Sequence, residues 1–195
     1  MLDIFNISLG SLSVLAFGIC FLIGYFVSHK KVYLHIGTYF ALIGLVIFLV
    51  NAGIVDWKYF LALITVALSL GLFVSYFASK KQILLFAAEI IMFVAARQFI
   101  FILVDDSAMH NGYSALVLGV LFVILFILQN KNYGYFPAAA AIVFYLLGFL
   151  NLAAATGMID KVIFKVLCAV VLIICGLLLF VYVIKKNIKV DKYGK

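Results

Sequence analysis

The chain has 195 residues, of which 69% are hydrophobic and 11% charged, with a formal net charge of +7 and a mean hydropathy of +1.34. Soluble domains carry roughly 45–50% apolar and ~25% charged residues, so this chain has too little polar surface to cover a folded ball in water. That excludes a soluble protein, a disordered one and a nucleic-acid-binding one, and it makes lipid the solvent.

Apolar runs separated by short polar breaks place expected spans at 8–28, 32–52, 57–79, 82–104, 113–129, 136–156 and 162–185. Each has about 17–24 residues, the length a helix needs to cross a hydrocarbon core of ~30 Å. A closed β-barrel would need alternating apolar and polar residues, whereas residues 115–128 are continuously apolar. The N-terminus carries Asp3 and no basic run, so the first span is expected to be retained rather than cleaved.

Span 1 ends at Lys30-Lys31. Span 2 carries Gly37, Ala41 and Gly44 on one stripe, where small residues let helices approach, and Asn51 near its outer end. Span 3 starts at Asp56, with Trp57 and Tyr59 as interface anchors, and ends at Lys80-Lys81. Span 4 holds Glu89, Arg97 and Gln98, and an acidic loop with Asp105, Asp106 and His110 follows. Span 5 ends near Lys131. Pro137, the only proline, fits the first turn of span 6, where no helical amide is lost. Ala138 to Ala141 open that span, and Asn151 lies near its outer end. Span 7 starts at Asp160 and ends at Lys185-Lys186. Asp56 and Asp160 are placed to cap the helices they precede.

Ten lysines lie on the side reached by the ends of spans 1, 3, 5 and 7, against three (Lys58, Lys161 and Lys165) on the other. The positive-inside rule then puts the C-terminus in the cytoplasm and the N-terminus outside. The cell membrane is the expected location.

The chain also matches itself. Gly53, Asp56 and Phe60 correspond to Gly157, Asp160 and Phe164 at an offset of 104, as do Phe40 and Gly44 to Phe144 and Gly148. At an offset of 101, Ser13, Gly18 and Lys30 correspond to Ser114, Gly119 and Lys131. The expected fold is therefore an all-α integral membrane protein. It is a seven-helix bundle built as a 3+1+3 parallel repeat, with units 8–81 and 113–186 joined by a linker helix, 82–104. In topology the layout resembles that of PQ-loop and SWEET-type transporters. Their Pro-Gln motifs are missing, since Pro137 is followed by Ala138, so no functional residue carries over.

Three cysteines (Cys20, Cys168, Cys175) lie in apolar runs without a Cys-x-x-Cys pair, and three histidines (His29, His35, His110) sit near span ends without metal-site spacing. No catalytic motif, cofactor or metal is expected. Glu89 and Arg97 are the acid and base placed deep inside a span, where each charge costs at least ~2.5–3.5 kcal/mol. Arg97 is also the only arginine, and its planar guanidinium suits a carboxylate or phosphate. Eight residues separate the two, so ~12 Å along the helix axis. An arginine leaning toward the helix N-terminus would shorten the gap. Three roles fit the pair: a structural clamp, coordination of a substrate or ion, and a subunit contact. Gln98 is turned toward a different neighbour, and Asn51 and Asn151 are placed for interhelical hydrogen bonds or a binding role.

The expected function is a small-solute carrier or channel using Glu89 and Arg97, with Gln98, Asn51 and Asn151 as further candidates. The alternative is a non-catalytic membrane subunit or sensor that docks another membrane protein through span 4. A lipid-directed intramembrane enzyme is a third reading. The implied partners are the bilayer, a small polar or anionic solute, and either a membrane-protein partner or a second copy of the chain.

Overall fold

Leucine, isoleucine, valine and phenylalanine in unbroken runs leave the backbone no water to bond to, so each run satisfies its own amides as a helix. The computed structural model describes residues 2–160, 162–171, 173 and 174. Among them are α1 (Leu2–Ser28), α2 (Lys31–Asn51), a short 3-10 turn η1 (Trp57–Tyr59), α3 (Phe60–Ser79), α4 (Gln82–Leu103), α5 (Ser107–Tyr133) and α6 (Phe136–Ala155). A further helical stretch, Val162–Val171, follows. Among the described residues, five helices are long and apolar enough to cross a membrane: Lys31–Asn51, Trp57–Ser79, Gln82–Leu103, Ser107–Gln129 and Phe136–Ala155. The described helices end within a few residues of the expected spans, apart from the starts of α1 and α5. Span 7 is described only in its first part, and the rest of it lies outside the described residues.

The burial pattern is inverted relative to a water-soluble fold. Ile90 is 65% exposed while its neighbour Glu89 is 8% exposed, and Thr38, Ser69, Ser75, Ser114 and Gln129 are buried as well. Phe26, Trp57 and Ile83 stand about 70% exposed. Large apolar side chains turned outward, with the few polar ones of the helix interiors turned inward beside small apolar residues, is the arrangement that suits lipid. The protein is a polytopic helical membrane protein.

The chain divides into two compact units, Met1–Asp105 and Asp106–Lys195. In the first, α1 packs on α2, α2 on α3 and α3 on α4, so α4, expected as a linker, lies along α3 inside that unit. In the second, α5 packs on α6.

Small residues set the seams. In α1–α2 a Cβ added at Gly18 would meet the backbone of Ala41, one at Gly37 the backbone of Leu22, and one at Gly44 the backbone of Leu15. In α5–α6 the facing pairs are Gly119 with Tyr145, Gly112 with Leu152, and Gly148 with Leu116. Adding 101 in the first helix and 104 in the second turns 18/41 into 119/145 and 15/44 into 116/148, so the two hairpins share one register. The three-residue difference between the offsets falls in the turn. α5 runs on to Tyr133 through a non-helical Gln129 (φ −134°), and Gly134 then reverses the chain at φ +58°. Pro137 occupies the first turn of α6, as expected.

The helix ends repeat too. After α2, the amides of Ile54 and Val55 both donate to Leu49 O, and Gly53 takes φ +70°. After α6, the amides of Met158 and Ile159 both donate to Ala153 O, and Gly157 takes φ +75°. A left-handed residue at this point lets the chain fold back onto the last helical carbonyls, and glycine does so without a Cβ penalty.

A shorter period runs through the first unit. Tyr25-Phe-Val-Ser-His-Lys30 and Tyr76-Phe-Ala-Ser-Lys-Lys81 stand 51 residues apart. His29 and Lys80 both take the left-handed conformation (φ 55° and 58°), and Lys30 and Lys81 follow at φ −80°, ψ 117° and φ −78°, ψ 116°. The adjacent rings also correspond: Tyr25–Phe26 at 5.7 Å and 60°, Tyr76–Phe77 at 5.4 Å and 59°. α1–α2 and α3–α4 are thus hairpins closed by the same two-residue turn. The small buried seam residues Gly18, Gly37 and Gly44 become Ser69, Ala88 and Ala95, all buried.

Candidate functional site

α4 is 22 residues long, about 33 Å at 1.5 Å per residue. Glu89 lies about 5 Å on one side of its middle and Arg97 about 7 Å on the other. What faces α3 is a row of small or medium residues, Leu85, Ala88 and Ala95, each with no exposed surface. At about 100° per residue, Glu89 and Gln98 stand on opposite flanks of that row, and Arg97 points directly away from it.

The side chains follow this geometry. Glu89 is buried, and its Oε1 has no hydrogen-bond partner. The peptide joining Ala88 to Glu89 is held by α3: Ser69 Oγ, itself fully buried, donates to Ala88 O at 2.7 Å. Gln98 reaches α3 at a different level, where the Thr65 hydroxyl lies 3.2 Å from its Oε1 and 2.7 Å from Leu61 O. Arg97 is exposed, and its guanidinium sits over the Phe101 ring, 5.5 Å from the centroid. It therefore extends toward the C-terminal end of α4, away from Glu89. The physical reason is proximity to that end. Leu103 is six residues on, about 9 Å, so a long side chain leaning that way brings its charge toward the interface while its stem stays in hydrocarbon. The ring face of Phe101 adds a cation–π contact.

Within the first unit, the α4 residues expected to form one site take different faces of that helix, and Asn151 belongs to the second unit. Glu89 and Gln98 belong to the α3–α4 seam. Arg97 is on the outer face of the same helix. Asn151 donates from Nδ2 to Leu147 O of its own helix at 2.7 Å, rather than across to a neighbour, because the i−4 carbonyl is within reach of a short amide side chain. Asn51 is half-buried near the end of α2.

A second polar pair was not singled out from the sequence. His35 Nδ1 of α2 and Ser75 Oγ of α3 are 2.8 Å apart, one turn in from the lysine-bearing end of the unit. Their positions in antiparallel neighbouring helices were the available signal. Of the repeated aspartates, Asp160 accepts from the amide of Val162 at 2.7 Å and so caps the stretch it precedes. Asp56 instead lies 4.0 Å from Lys58 in an exposed ion pair, which contributes little.

No family model, curated protein or solved structure matches this chain. The residues alone carry the functional argument. Glu89 is the exceptional one, because the hairpin geometry does not ask for it. At the corresponding place in α2 stands Thr38, buried and bonded to Leu34 O of its own helix at 2.7 Å. In α6 the place is taken by Ile142, 61% exposed. Two hairpins are built without an acid there. The third retains a carboxylate with an unbonded oxygen.

Proposed function

We propose that the protein is a small-solute carrier or channel whose site is centred on Glu89. The observation that carries the reading is the buried carboxylate with an unpartnered oxygen, at membrane depth, in a seam that elsewhere does without one. An intramembrane acid is expensive, and its default role is on a solute or ion path. In this reading the chain is a 3+1+3 parallel repeat, and carriers commonly place their site between such repeats. The shared register of α1–α2 and α5–α6 and the matching turns after α2 and α6 support that plan. The lysine-rich ends of the hairpins face the cytoplasm of the cell membrane, and the protein is not an enzyme.

The test is flux into proteoliposomes for a fixed panel: sodium, rubidium, methylammonium, alanine and glucose. Wild-type protein is expected to carry at least one above protein-free vesicles, and Glu89→Gln is expected to insert normally and lose that flux. Flux of none of the five, or full flux in Glu89→Gln, overturns the reading.

A second reading is favoured by the outer face of α4, where Ile90, Val94, Arg97 and Phe101 are all exposed. An arginine on such a stripe suits docking to another membrane protein. A stoichiometric partner that co-purifies in mild detergent and is lost in Arg97→Leu supports it, and a homogeneous single species overturns it.

A further inference from the structure

We propose that Glu89 binds a singly charged cation, either a monovalent metal ion or an alkylammonium group, within the first unit. The proposal deepens the carrier reading and rests on its choice of Glu89 as the site.

The argument begins with charge. A carboxylate taken out of water without a partner is strongly disfavoured, and such a group either takes up a proton or is offset by a positive group or several donors. Glu89 is more than nine-tenths buried, and its Oε1 has no donor. The elements packed against α4 do not supply the countercharge. α3 contains no Asp, Glu, Lys, Arg or His. On η1, Lys58 is turned to Asp56 at 4.0 Å and to the Tyr59 ring at 4.9 Å. On α4 itself, Arg97 lies on the opposite face, over Phe101.

The comparison between hairpins then separates function from packing. If an acid were needed to hold two helices at this seam, the α1–α2 hairpin would need one too, and it uses the buried Thr38; in α6 the matching Ile142 faces outward. The seam around Glu89 is made of small groups, with Ser69 and Ala88 joined by a hydroxyl–carbonyl bond. These are oxygen donors of the kind that hard monovalent cations and ammonium groups accept.

The valence follows from the inventory. Among the described residues no three His, Cys, Asp or Glu side chains gather to hold a metal ion. One carboxylate with neutral oxygens beside it balances one positive charge, not two or three.

The experiment is thermal unfolding of the purified full chain in detergent, at constant chloride and ionic strength. Sodium, potassium or methylammonium replaces N-methylglucamine, a much bulkier organic cation. At least one of the three is expected to raise the midpoint, and the rise should saturate with concentration as binding to the folded state requires. A metal ion as the bound species favours sodium or potassium over methylammonium, and an alkylammonium site reverses that order. Glu89→Gln should fold and lose the effect. Glu89→Asp should keep it with a half-effect concentration at least tenfold higher. The proposal is overturned if all three cations behave like N-methylglucamine, as a carboxylate that holds only a proton would, or if the effect survives in Glu89→Gln. Flux without a cation effect removes the cation and leaves the carrier, and a cation effect without flux removes the carrier and leaves the cation site.

Discussion

Gly44 and Gly148 occupy corresponding places in two hairpins, yet substituting them by alanine is predicted to cost different amounts. A Cβ at Gly44 would lie 2.6 Å from Leu15 N and 2.8 Å from Leu15 Cα, both backbone atoms of α1. A Cβ at Gly148 would lie 2.6 Å from Leu116 Cδ2 and 2.7 Å from Cγ, both in a side chain, with the backbone Gly112 O less tightly placed at 3.1 Å. Each falls short of ordinary contact by about 0.8 Å, but the remedies differ. A leucine side chain can turn aside for about 0.5–1.5 kcal/mol. Backbone cannot, so α1 and α2 must part along the seam, which belongs in the upper half of the overpacking range, about 2–3 kcal/mol. Gly10, earlier on α1, has nothing within 4 Å of an added Cβ and serves as the control. Alanine there should be neutral or stabilising by up to ~1 kcal/mol, from helix propensity alone. The assay is reversible unfolding in mixed micelles, following helix content as the denaturing detergent fraction rises. The reasoning is refuted if Gly148→Ala costs as much as Gly44→Ala, or if Gly10→Ala costs as much as either.

Two further substitutions probe the α3–α4 seam and the outer face of α4. Ser69→Ala removes a buried hydroxyl that donates to Ala88 O, and it should destabilise by about 1 kcal/mol, within the range for hydrogen bonds between helices in membranes. The same micelle titration reads it, and an unchanged midpoint would show that the bond holds nothing. Arg97→Lys should leave folding and flux within twofold of wild type, because a lysine can also extend toward the helix end and loses only the guanidinium contact with Phe101, worth about 0.5–1 kcal/mol. Loss of flux in a folded Arg97→Lys protein would mean that the planar group, rather than its charge, is in use.

Helix placement was legible because lipid forces it: a run of some twenty apolar residues has few alternatives, and lysine pairs or Gly-x-x-Asp breaks mark its ends. Gly37 and Gly44 were legible as seam residues because small side chains let helices approach, whereas Gly148 was legible only as the repeat match of Gly44. The direction of Arg97 was not. The rule that arginine leans toward the helix N-terminus competes with the pull of the nearer interface and of a ring one turn on, and spacing does not rank the two. Asn151 likewise had its own Leu147 carbonyl within reach, which residue type alone does not reveal. The 51-residue period is present in Tyr25–Lys30 and Tyr76–Lys81, but six residues in so apolar a sequence do not stand out by themselves. What shows its meaning is the paired left-handed turns at His29 and Lys80. Glu89 was visible as an unusual residue from the start. That the matching places of the other hairpins carry no acid is visible only beside Thr38 and Ile142.

The two-residue turns of the first unit have a mechanical consequence. A connection that short acts as a clasp, holding α1 to α2 and α3 to α4 at the lysine-bearing end, while no such turn joins the two helices of either hairpin at the opposite end, where 52–59 connects α2 to α3 and 104–106 leads on from α4. Each hairpin is then a pair of tweezers pinned at one end. For a given rotation about the turn, displacement grows with distance from it, reaching roughly 5 Å at the far end of a 30 Å helix for ten degrees of opening. Glu89, seven residues from the start of α4, would move about a third as far. Any opening about these turns would be levered, with wide travel at the aspartate-bearing end and fine travel at the carboxylate.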